Sequence, residues 1–222
     1  MSFLRSTVGR KIIMAFTGSL LLGFLLIHLV GNSLIYIGWI NAYGERLHSL
    51  PPLVWAFRIV MLCVFSVHIF FGITLFIENR AARPAGYAVK RDMSATFSSK
   101  TMIWSGLLIA VFLIYHLLHF TLRVTNPDIS GSLDTSGRLD VFKMVVFSFR
   151  NYLISGFYIA AMIVLGLHLL HGVQSIVQTF GLNSDQTLPT VEKAGTGIAL
   201  AFFLGYASIP LVILCGFLNY KG

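Results

Sequence analysis

The chain has 222 residues, of which 56% are hydrophobic and 11% charged, and its mean hydropathy is +0.82. Soluble domains carry about 25% charged residues, so this composition excludes a soluble globular fold and predicts a protein solvated by lipid. The net charge of +8 comes from Lys and Arg that lie mostly between apolar runs, where they meet lipid headgroups, so nucleic acid is not an expected partner. No polar stretch is long enough for a second domain, and we expect residues 1–222 to form one transmembrane domain.

Five apolar runs have the length of about 20 residues that an α-helix needs to cross a bilayer. They cover residues 12–37, 53–77, 102–122, 152–177 and 195–218. Backbone groups inside a bilayer must bond within their own segment, and runs of this length without alternation can do so only as helices. The sequence therefore predicts an all-α membrane protein with five transmembrane helices.

Three local features modify this five-helix pattern. Residues 12–40 carry no charge, which is too long for the core of a signal peptide, so we expect an uncleaved first helix. Residues 139–149 are apolar but too short to span, and they predict an amphipathic helix on the membrane surface. Pro210 falls inside the last run and is expected to kink that helix.

Basic residues indicate an orientation. Nine Lys and Arg lie on one side of the five spans and seven on the other. Because cytoplasmic loops carry the excess of basic residues, this favours a cytoplasmic N-terminus and an outer C-terminus. The strongest local excess lies between the second and third spans and consists of Arg80, Arg83, Lys90, Arg91 and Lys100.

Histidines are the unusual residues of the predicted spans. Six of the seven lie inside them: His28, His68, His116, His119, His168 and His171. A charged side chain at mid-helix costs about 2.5–3.5 kcal/mol, so ionisable residues there indicate a function. No Asp or Glu lies deep in a span, which argues against a proton relay through carboxylates. Neutral imidazoles that bind a metal fit better, and interhelical hydrogen bonding by structural histidines is the plainer alternative.

Depth along the helices pairs two of these histidines near the outer face. If the metal is the iron of a haem, its two axial histidine ligands must lie at the same depth in the membrane. His28 lies 17 residues after Lys11, and His116 lies 16 residues after Lys100. At a rise of about 1.5 Å per residue, both lie about 24–26 Å from the cytoplasmic edge. The sequence predicts that they bind an outer haem between the first and third spans.

A second pair lies nearer the cytoplasm by the same reasoning. His68 lies 10 residues before Glu78, and His168 lies 10 residues before Gln178. Both are therefore about 15 Å deep, on helices that run opposite to the first two. We expect these histidines to bind a cytoplasmic-side haem, so that the first four spans form a haem-binding bundle.

The remaining histidines have weaker assignments. His119 and His171 each follow an expected ligand by three residues and lie on the same helix face. Either could replace that ligand, and otherwise each is expected to bond to a haem propionate or to the backbone. His48 lies in a polar loop and is expected to be solvated.

Around these histidines the sequence resembles the membrane-anchor cytochrome b of succinate:quinone oxidoreductases, in its single-subunit, five-helix, two-haem type. The matching segments are IHLVGN around His28, HIFFGITLF from His68, IYHLLHF around His116 and LHLLHGVQSIVQTFGLN around His168. Together they span nearly the whole chain. The resemblance implies that residues 1–222 are a single transmembrane cytochrome b domain of a bacterial cytoplasmic membrane, with these four histidines as axial ligands of two haems b.

The resemblance also implies partners. The chain would be one subunit of an enzyme whose dicarboxylate chemistry lies in a flavoprotein with covalent FAD and in an iron-sulfur subunit. Electrons would pass between succinate and membrane quinone, often menaquinone in this type, or in reverse for fumarate reduction. A dimer of the whole complex stays open.

Family members that react with quinone near the outer haem use an acidic side chain there to take up the proton. Glu45 is the only acid between the first two spans, and it is the candidate for this role, with a solvated loop carboxylate as the alternative. Candidate partners for haem propionates near the bundle ends are Asn32, Arg58, Lys100 and Gln174. Interface anchoring is the alternative for each of them.

Two other functions compete with this one. A cytochrome b anchor of a different quinone-linked dehydrogenase, of the hydrogenase or formate dehydrogenase type, would belong to a complex without FAD. A transporter or channel that uses the histidines for protons or metal would carry no haem. The lack of deep carboxylates and of a visible inverted repeat argues against the transporter.

Overall fold

The computed structural model describes residues 6–82 and 97–220. Its α-helices are α1 (Thr7–Ser33), α2 (Ile40–His48), α3 (Pro51–Ala81), α4 (Phe97–His116), α5 (Pro127–Ser130), α6 (Val141–Phe149), α7 (Tyr152–Thr179) and α8 (Leu188–Leu214). These two ranges contain no β-strand, and five of their helical segments are long and apolar enough to cross a membrane. The chain is therefore an all-α, multi-pass membrane protein, as predicted.

The ends of the spans differ from the predicted ends for a local reason. The spanning helix α3 begins at Pro51 and α8 begins at Leu188, and in both a proline occupies the first turn. Proline suits the first turn because its missing N–H would have no partner there. These prolines thus open helices, and α8 starts before residue 195, where the fifth apolar run was predicted to begin. Pro210 lies within α8, and the expected kink there stays a prediction.

Four helices form a ring. In order around the ring they are α1, α3, α4 and α7, and each packs against the next. The fifth spanning helix, α8, packs outside the ring against α7 and α1. A Cβ at Gly205 would lie 2.8 Å from Cδ2 of Leu29, so glycine is needed for this approach. The Tyr206 hydroxyl donates to the Leu25 carbonyl oxygen at 2.7 Å and fastens α8 to α1.

The outer faces of the spans are apolar and exposed. No residue of α3 is buried, and Leu53, Leu62, Phe70 and Ile77 are each more than half exposed. A helix that presents such side chains outward needs an apolar solvent. These faces are the ones that would contact lipid.

One end of the ring, called the near end, is where α1 and α4 begin and where α3 and α7 end. An ion pair between Arg10 on α1 and Glu78 on α3 joins two neighbouring helices there. Of the basic cluster predicted on this side, Arg83, Lys90 and Arg91 lie outside the described residues.

The opposite end, called the far end, carries the short helices α2, α5 and α6. The helix predicted over residues 139–149 is present as α6, but its apolar side packs on protein rather than facing outward. Val145, Val146 and Phe149 are buried in a cluster that includes Tyr158 of α7 and Ile209 of α8. The apolar face of α6 thus covers the bundle, because the far ends of α7 and α8 offer an apolar surface to it.

A polar contact holds this cover in place. The Asn41 side chain on α2 donates to Asp140 Oδ1 at 3.0 Å and to Asp134 Oδ2 at 3.2 Å, and its oxygen accepts from the Phe142 N–H at 2.8 Å. Asp140 caps the first turn of α6 by accepting from the Lys143 N–H at 2.9 Å. The amide therefore links α2 to α6.

Candidate functional site

Two pairs of histidines meet inside the ring of helices. The ring centroids of His28 on α1 and His116 on α4 are 5.9 Å apart, with an angle of 90° between the planes. Those of His68 on α3 and His168 on α7 are 6.5 Å apart, with an angle of 68°. Since the ring runs α1, α3, α4, α7, each pair joins helices that face each other across it. The structure thus brings together the same pairs that depth along the sequence predicted.

The pairs lie at two levels. Thr17 contacts His68, and His28 follows eleven residues later on the same helix. Eleven residues rise about 16 Å. His68 and His168 therefore form a near pair, toward the near end, and His28 and His116 form a far pair.

The spacing of both pairs fits two axial ligands on one iron. A metal-bound histidine nitrogen lies about 2 Å from its metal, and the imidazole centre lies roughly 1 Å beyond it, so two axial rings have centres about 6 Å apart. The observed distances of 5.9 and 6.5 Å agree with this value. Within residues 6–82 and 97–220, no group of three or more His, Cys, Asp or Glu is placed to hold a bare metal ion. A haem needs only two protein ligands, because the porphyrin supplies the others.

A hydroxyl of a neighbouring helix contacts the His68 ring. The Thr17 Oγ1–H donates to the main-chain oxygen of Ile13 at 2.8 Å. With its proton used there, Thr17 Oγ1 can accept from His68 Nδ1, 3.1 Å away. This contact suits the tautomer with the proton on Nδ1, which would leave the Nε2 lone pair for a metal.

His168 has the same arrangement on the other side. The Ser105 Oγ–H donates to the Met102 carbonyl oxygen at 3.0 Å, so Ser105 Oγ can accept from His168 Nδ1, 3.1 Å away. Metal-bound histidines usually donate their second nitrogen in this way, which orients the ring. Both near-pair imidazoles thus have an oxygen placed beside Nδ1, as the tautomer that ligation requires would need.

A glycine beside each hydroxyl leaves room for the imidazole. A Cβ at Gly18 would lie 3.4 Å from His68 Cε1, and one at Gly106 would lie 3.3 Å from His168 Cε1. A Cβ would therefore just touch the His68 ring and would crowd the His168 ring by a few tenths of an ångström, and a branched side chain would push either ring aside. The helix backbones thus form two walls against which the near-pair imidazoles rest.

The two halves of the bundle repeat these features with the same spacing within each helix. In chain order the first half has Met14, Thr17, Gly18, His28, His68 and Gly72, and the second half has Met102, Ser105, Gly106, His116, His168 and Gly172. The two terminal glycines face the two methionines: a Cβ at Gly72 would lie 3.6 Å from Met14 Cε, and one at Gly172 would lie 3.8 Å from Met102 Cε. The helix pairs α1–α3 and α4–α7 thus form a parallel repeat, and both sides of the near-pair site are built alike.

The far pair has different surroundings. The Phe24 ring stacks on His28 with centroids 5.3 Å apart, and within the described ranges the His28 ring makes ring contacts rather than hydrogen bonds. The Tyr158 hydroxyl lies 3.4 Å from His116 Nδ1. A phenol therefore takes the place that the aliphatic hydroxyls have at the near pair.

His119 is bonded to protein on both ring nitrogens. It lies in a π-helical turn, Leu117–Thr121, that continues α4, and it is 1% exposed. Its Nδ1 lies 3.0 Å from the Tyr158 hydroxyl, and its Nε2 lies 3.0 Å from Ser148 Oγ and 3.4 Å from Asn126 Nδ2. Neither nitrogen is left for iron, so His119 makes hydrogen bonds, but its partners are side chains rather than the predicted propionate or backbone. His171 is half-buried on α7, and its predicted roles stay predictions.

Two candidate propionate partners lie at the far end and already have protein partners. The Asn32 amide donates to the His28 carbonyl oxygen at 2.8 Å. The Arg58 guanidinium lies over the Trp55 ring, 5.2 Å from its centroid, and 3.3 Å from His48 Nε2. His48 was expected to be solvated. It is exposed, and it also contacts Arg58.

The other two candidates lie at the near end. Lys100 is exposed in the first half of α4. Gln174 on α7 packs toward α8, where its Cγ would lie 3.6 Å from a Cβ at Gly195. The propionate roles of both stay predictions.

Glu45 lies on α2, a helix that the sequence did not predict. It lines a pocket of about 330 Å³ at the far end together with His48, Arg123, Gly44, Leu139 and Val141. Arg123 follows the π-helical turn with a φ of 59°, a conformation that costs a non-glycine residue free energy. The pocket thus brings together a carboxylate, an imidazole and a guanidinium, and it lies closer to the far end than the far pair does.

Sequence reasoning missed Thr17, Ser105 and Tyr158. A signal for the first two was present, because each hydroxyl residue precedes a glycine and stands eleven residues before a span histidine. Eleven residues make about three helical turns, so hydroxyl and histidine share a helix face. Tyr158 has no such signal in the chain.

Comparison of the chain with protein-family models, with curated proteins and with solved structures finds no match. The fold defines the class, which is a multi-pass α-helical membrane protein. A more specific function has to be argued from the two histidine pairs and their surroundings.

Proposed function

We propose that this chain is a dihaem cytochrome b that anchors a succinate:quinone oxidoreductase in the membrane. The observation that carries the proposal is the pairing of histidines across the bundle, at two levels, with ring centroids 5.9 and 6.5 Å apart. Haem b with two axial histidines has no open iron position and carries single electrons. The chain would pass electrons between an iron-sulfur subunit and membrane quinone.

The residues of the near pair support this role directly. Thr17 and Ser105 place an oxygen beside Nδ1 of each imidazole, which suits the tautomer that can ligate iron, and Gly18 and Gly106 let the rings lie against the helices. Ligands held by supporting contacts keep one geometry in both oxidation states. Such rigidity favours electron transfer, because little structural change accompanies it.

The partners and the orientation in this proposal come from the sequence resemblance. The near end would face the cytoplasm of a bacterium and bind the iron-sulfur and FAD-bearing subunits, which carry the dicarboxylate chemistry. Five spans then place the C-terminus on the outer side of the cytoplasmic membrane. Menaquinone is the expected quinone.

The test is haem and flavin quantitation on the purified complex. We expect two haems b per chain by the pyridine haemochrome assay, together with covalent FAD and quinone reduction by succinate. A colourless protein would favour the transporter, and a complex with haem but without FAD would favour the anchor of another dehydrogenase.

We further propose that the far-end pocket binds the quinone headgroup and that Glu45 takes part in its proton transfer. The pocket offers an acid beside two basic groups, and a positioned acid or base typically contributes about 100-fold or more to a rate. We expect Glu45→Gln to lower quinone turnover about 100-fold while electron delivery to a soluble acceptor and haem content stay unchanged. Glu192→Gln, on exposed α8 surface, is the control, and equal effects of the two variants would contradict the assignment.

A further inference from the structure

A chain of buried polar groups leads away from His116. The Tyr158 hydroxyl on α7 lies 3.4 Å from His116 Nδ1 and 3.0 Å from His119 Nδ1. Ser148 Oγ on α6 lies 3.0 Å from His119 Nε2. Tyr158 is 6% exposed, Ser148 2% and His119 1%, so water does not compete for these contacts. The proposed quinone pocket does not use these three side chains.

Ligation of iron by His116 would fix the direction of every bond in this hydrogen-bonded chain. An imidazole that binds metal through Nε2 has its proton on Nδ1 and can only donate there, so the Tyr158 oxygen accepts. The single proton of that hydroxyl is then donated to His119 Nδ1. His119 consequently carries its own proton on Nε2 and donates it to Ser148 Oγ. Asn126, 3.4 Å from the same nitrogen, would face it with its amide oxygen, since Asn oxygen and nitrogen positions are interchangeable by rotation.

The near pair lacks such a chain. Thr17 and Ser105 give their protons to carbonyl oxygens of their own helices, so each hydrogen-bonded path ends there. A hydroxyl that donates to a further strong acceptor becomes a better acceptor itself. The far pair differs in that the oxygen facing His116 Nδ1, 3.4 Å away, belongs to a longer chain of buried polar groups, whereas the oxygens facing His68 and His168, both at 3.1 Å, do not.

We propose that Tyr158 is a positioning residue that orients His116 and, through its bond to His119, lowers the reduction potential of the haem held by the far pair. A stronger hydrogen bond from Nδ1 makes the imidazole a more basic ligand, and a more basic ligand favours the oxidised iron. The inference rests on the proposed function, because it needs iron at His116. It adds a specific reason for the two haems to differ in potential.

The test is a redox titration of the complete complex that carries Tyr158→Phe. We expect both haems to be retained and the far-pair haem to shift about tenfold toward the reduced form, which is about 59 mV for a one-electron couple. The near-pair haem keeps its potential, and only the far-pair haem changes its low-spin ferric electron paramagnetic resonance signal. A shift of neither haem, or of both equally, would overturn the proposal.

Tyr115→Phe is the matched control. The Tyr115 ring contacts both His119 and Tyr158, but its hydroxyl makes no hydrogen bond within the described part of the chain. The same chemical change at the same level should therefore leave both potentials unchanged. A shift equal to that of Tyr158→Phe would assign the effect to general packing and overturn the proposal.

Two buried serines keep the proposal testable if Tyr158→Phe does not assemble. Ser148 is the last group of the hydrogen-bonded chain that starts at His116. Ser155 donates to the Phe149 carbonyl oxygen and takes no part in that chain. We expect Ser148→Ala to shift the far-pair haem in the same direction but by less than Tyr158→Phe does, and Ser155→Ala to shift neither haem. Equal potentials in the two variants would overturn the inference while the proposed function stands. Wild-type complex without haem would overturn both.

Discussion

The near and far histidine pairs occupy the same four helices but differ in what surrounds them. At the near pair, each imidazole has an aliphatic hydroxyl on Nδ1 and a glycine beside Cε1. At the far pair, one ring stacks on Phe24 and the other meets Tyr158, which leads to His119. The near-pair site is nearly symmetric, whereas the far-pair site is not.

The position at which the repeat breaks is informative. By the spacing of the repeat, His119 of the second half corresponds to Gly31 of the first, and Tyr158 corresponds to Arg58. A Cβ at Gly31 would lie 2.8 Å from the Tyr43 hydroxyl, so a side chain from α2 fills the space that His119 fills opposite. The repeated residues thus include those that contact the near-pair histidines, and the positions at which the repeat breaks are those that make the surroundings of the far pair different.

The largest effect expected at the near pair is that of a side chain in place of Gly106. In Gly106→Val the Cβ alone would lie 3.3 Å from His168 Cε1, and the two methyl groups would displace the ring. Haem content should fall from two to one per chain, with the far-pair haem unchanged in its spectrum. Pyridine haemochrome and visible difference spectra measure both.

Gly23→Val on α1 is the control for that substitution. A Cβ at Gly23 would have nothing within 4 Å, so both haems should remain. Retention of two haems in Gly106→Val would show that His168 does not depend on the space left by glycine at position 106.

A smaller effect is expected from the hydroxyls. Ser105→Ala and Thr17→Val remove the acceptor on Nδ1 of a near-pair imidazole, and loss of such a partner typically costs about tenfold or more in affinity for the metal group. Haem release from the near pair to an apo-protein acceptor should therefore quicken about tenfold, while release from the far pair stays the same. Ser19→Ala is the control, because Ser19 donates only to the Ala15 carbonyl oxygen of its own helix. Equal release rates in the three variants would sink the role given to the hydroxyls.

The smallest effect concerns pH and the cover of the far end. Partial burial opposes the charge of Asp134, but main-chain N–H groups of Arg138 and Ser136, the Arg138 side chain and Asn41 bond to its carboxylate and together lower its pKa. Because the folded pKa lies below the unfolded one, this stabilisation is complete above the unfolded value and is lost as pH falls through the folded value.

Amide hydrogen exchange checks this pH effect. The protection factors at the Ser136 and Arg138 N–H groups, which are corrected for the intrinsic pH dependence of exchange, should fall in acid in the wild type and should be independent of this titration in Asp134→Asn. Asp128→Asn, an exposed acid of α5, should behave like the wild type. An acid response that survives in Asp134→Asn would assign it to another group.

Much of the near pair could be predicted from the sequence, and less of the far pair. Span length follows from bilayer thickness, and ligand depth follows from helix rise, so the five spans and the two histidine pairs were accessible. The contacts of Tyr158 and His119 were not, because they depend on a π-helical turn that changes which residues of α4 face α7. The helix α2 was missed because its sequence, INAYGERLH, is polar and its burial comes from Asn41 packing against α6.

The most direct test of the account is haem stoichiometry in double histidine variants. Two histidines that grip one haem act as a unit, so their substitutions should not add, whereas substitutions at separate sites should. We predict that His28→Leu with His116→Leu leaves one haem per chain, as either single variant does, and that His28→Leu with His68→Leu leaves none. The pairing across the bundle would be contradicted if the double variant His28→Leu with His68→Leu lost only one haem and the double variant His28→Leu with His116→Leu lost both.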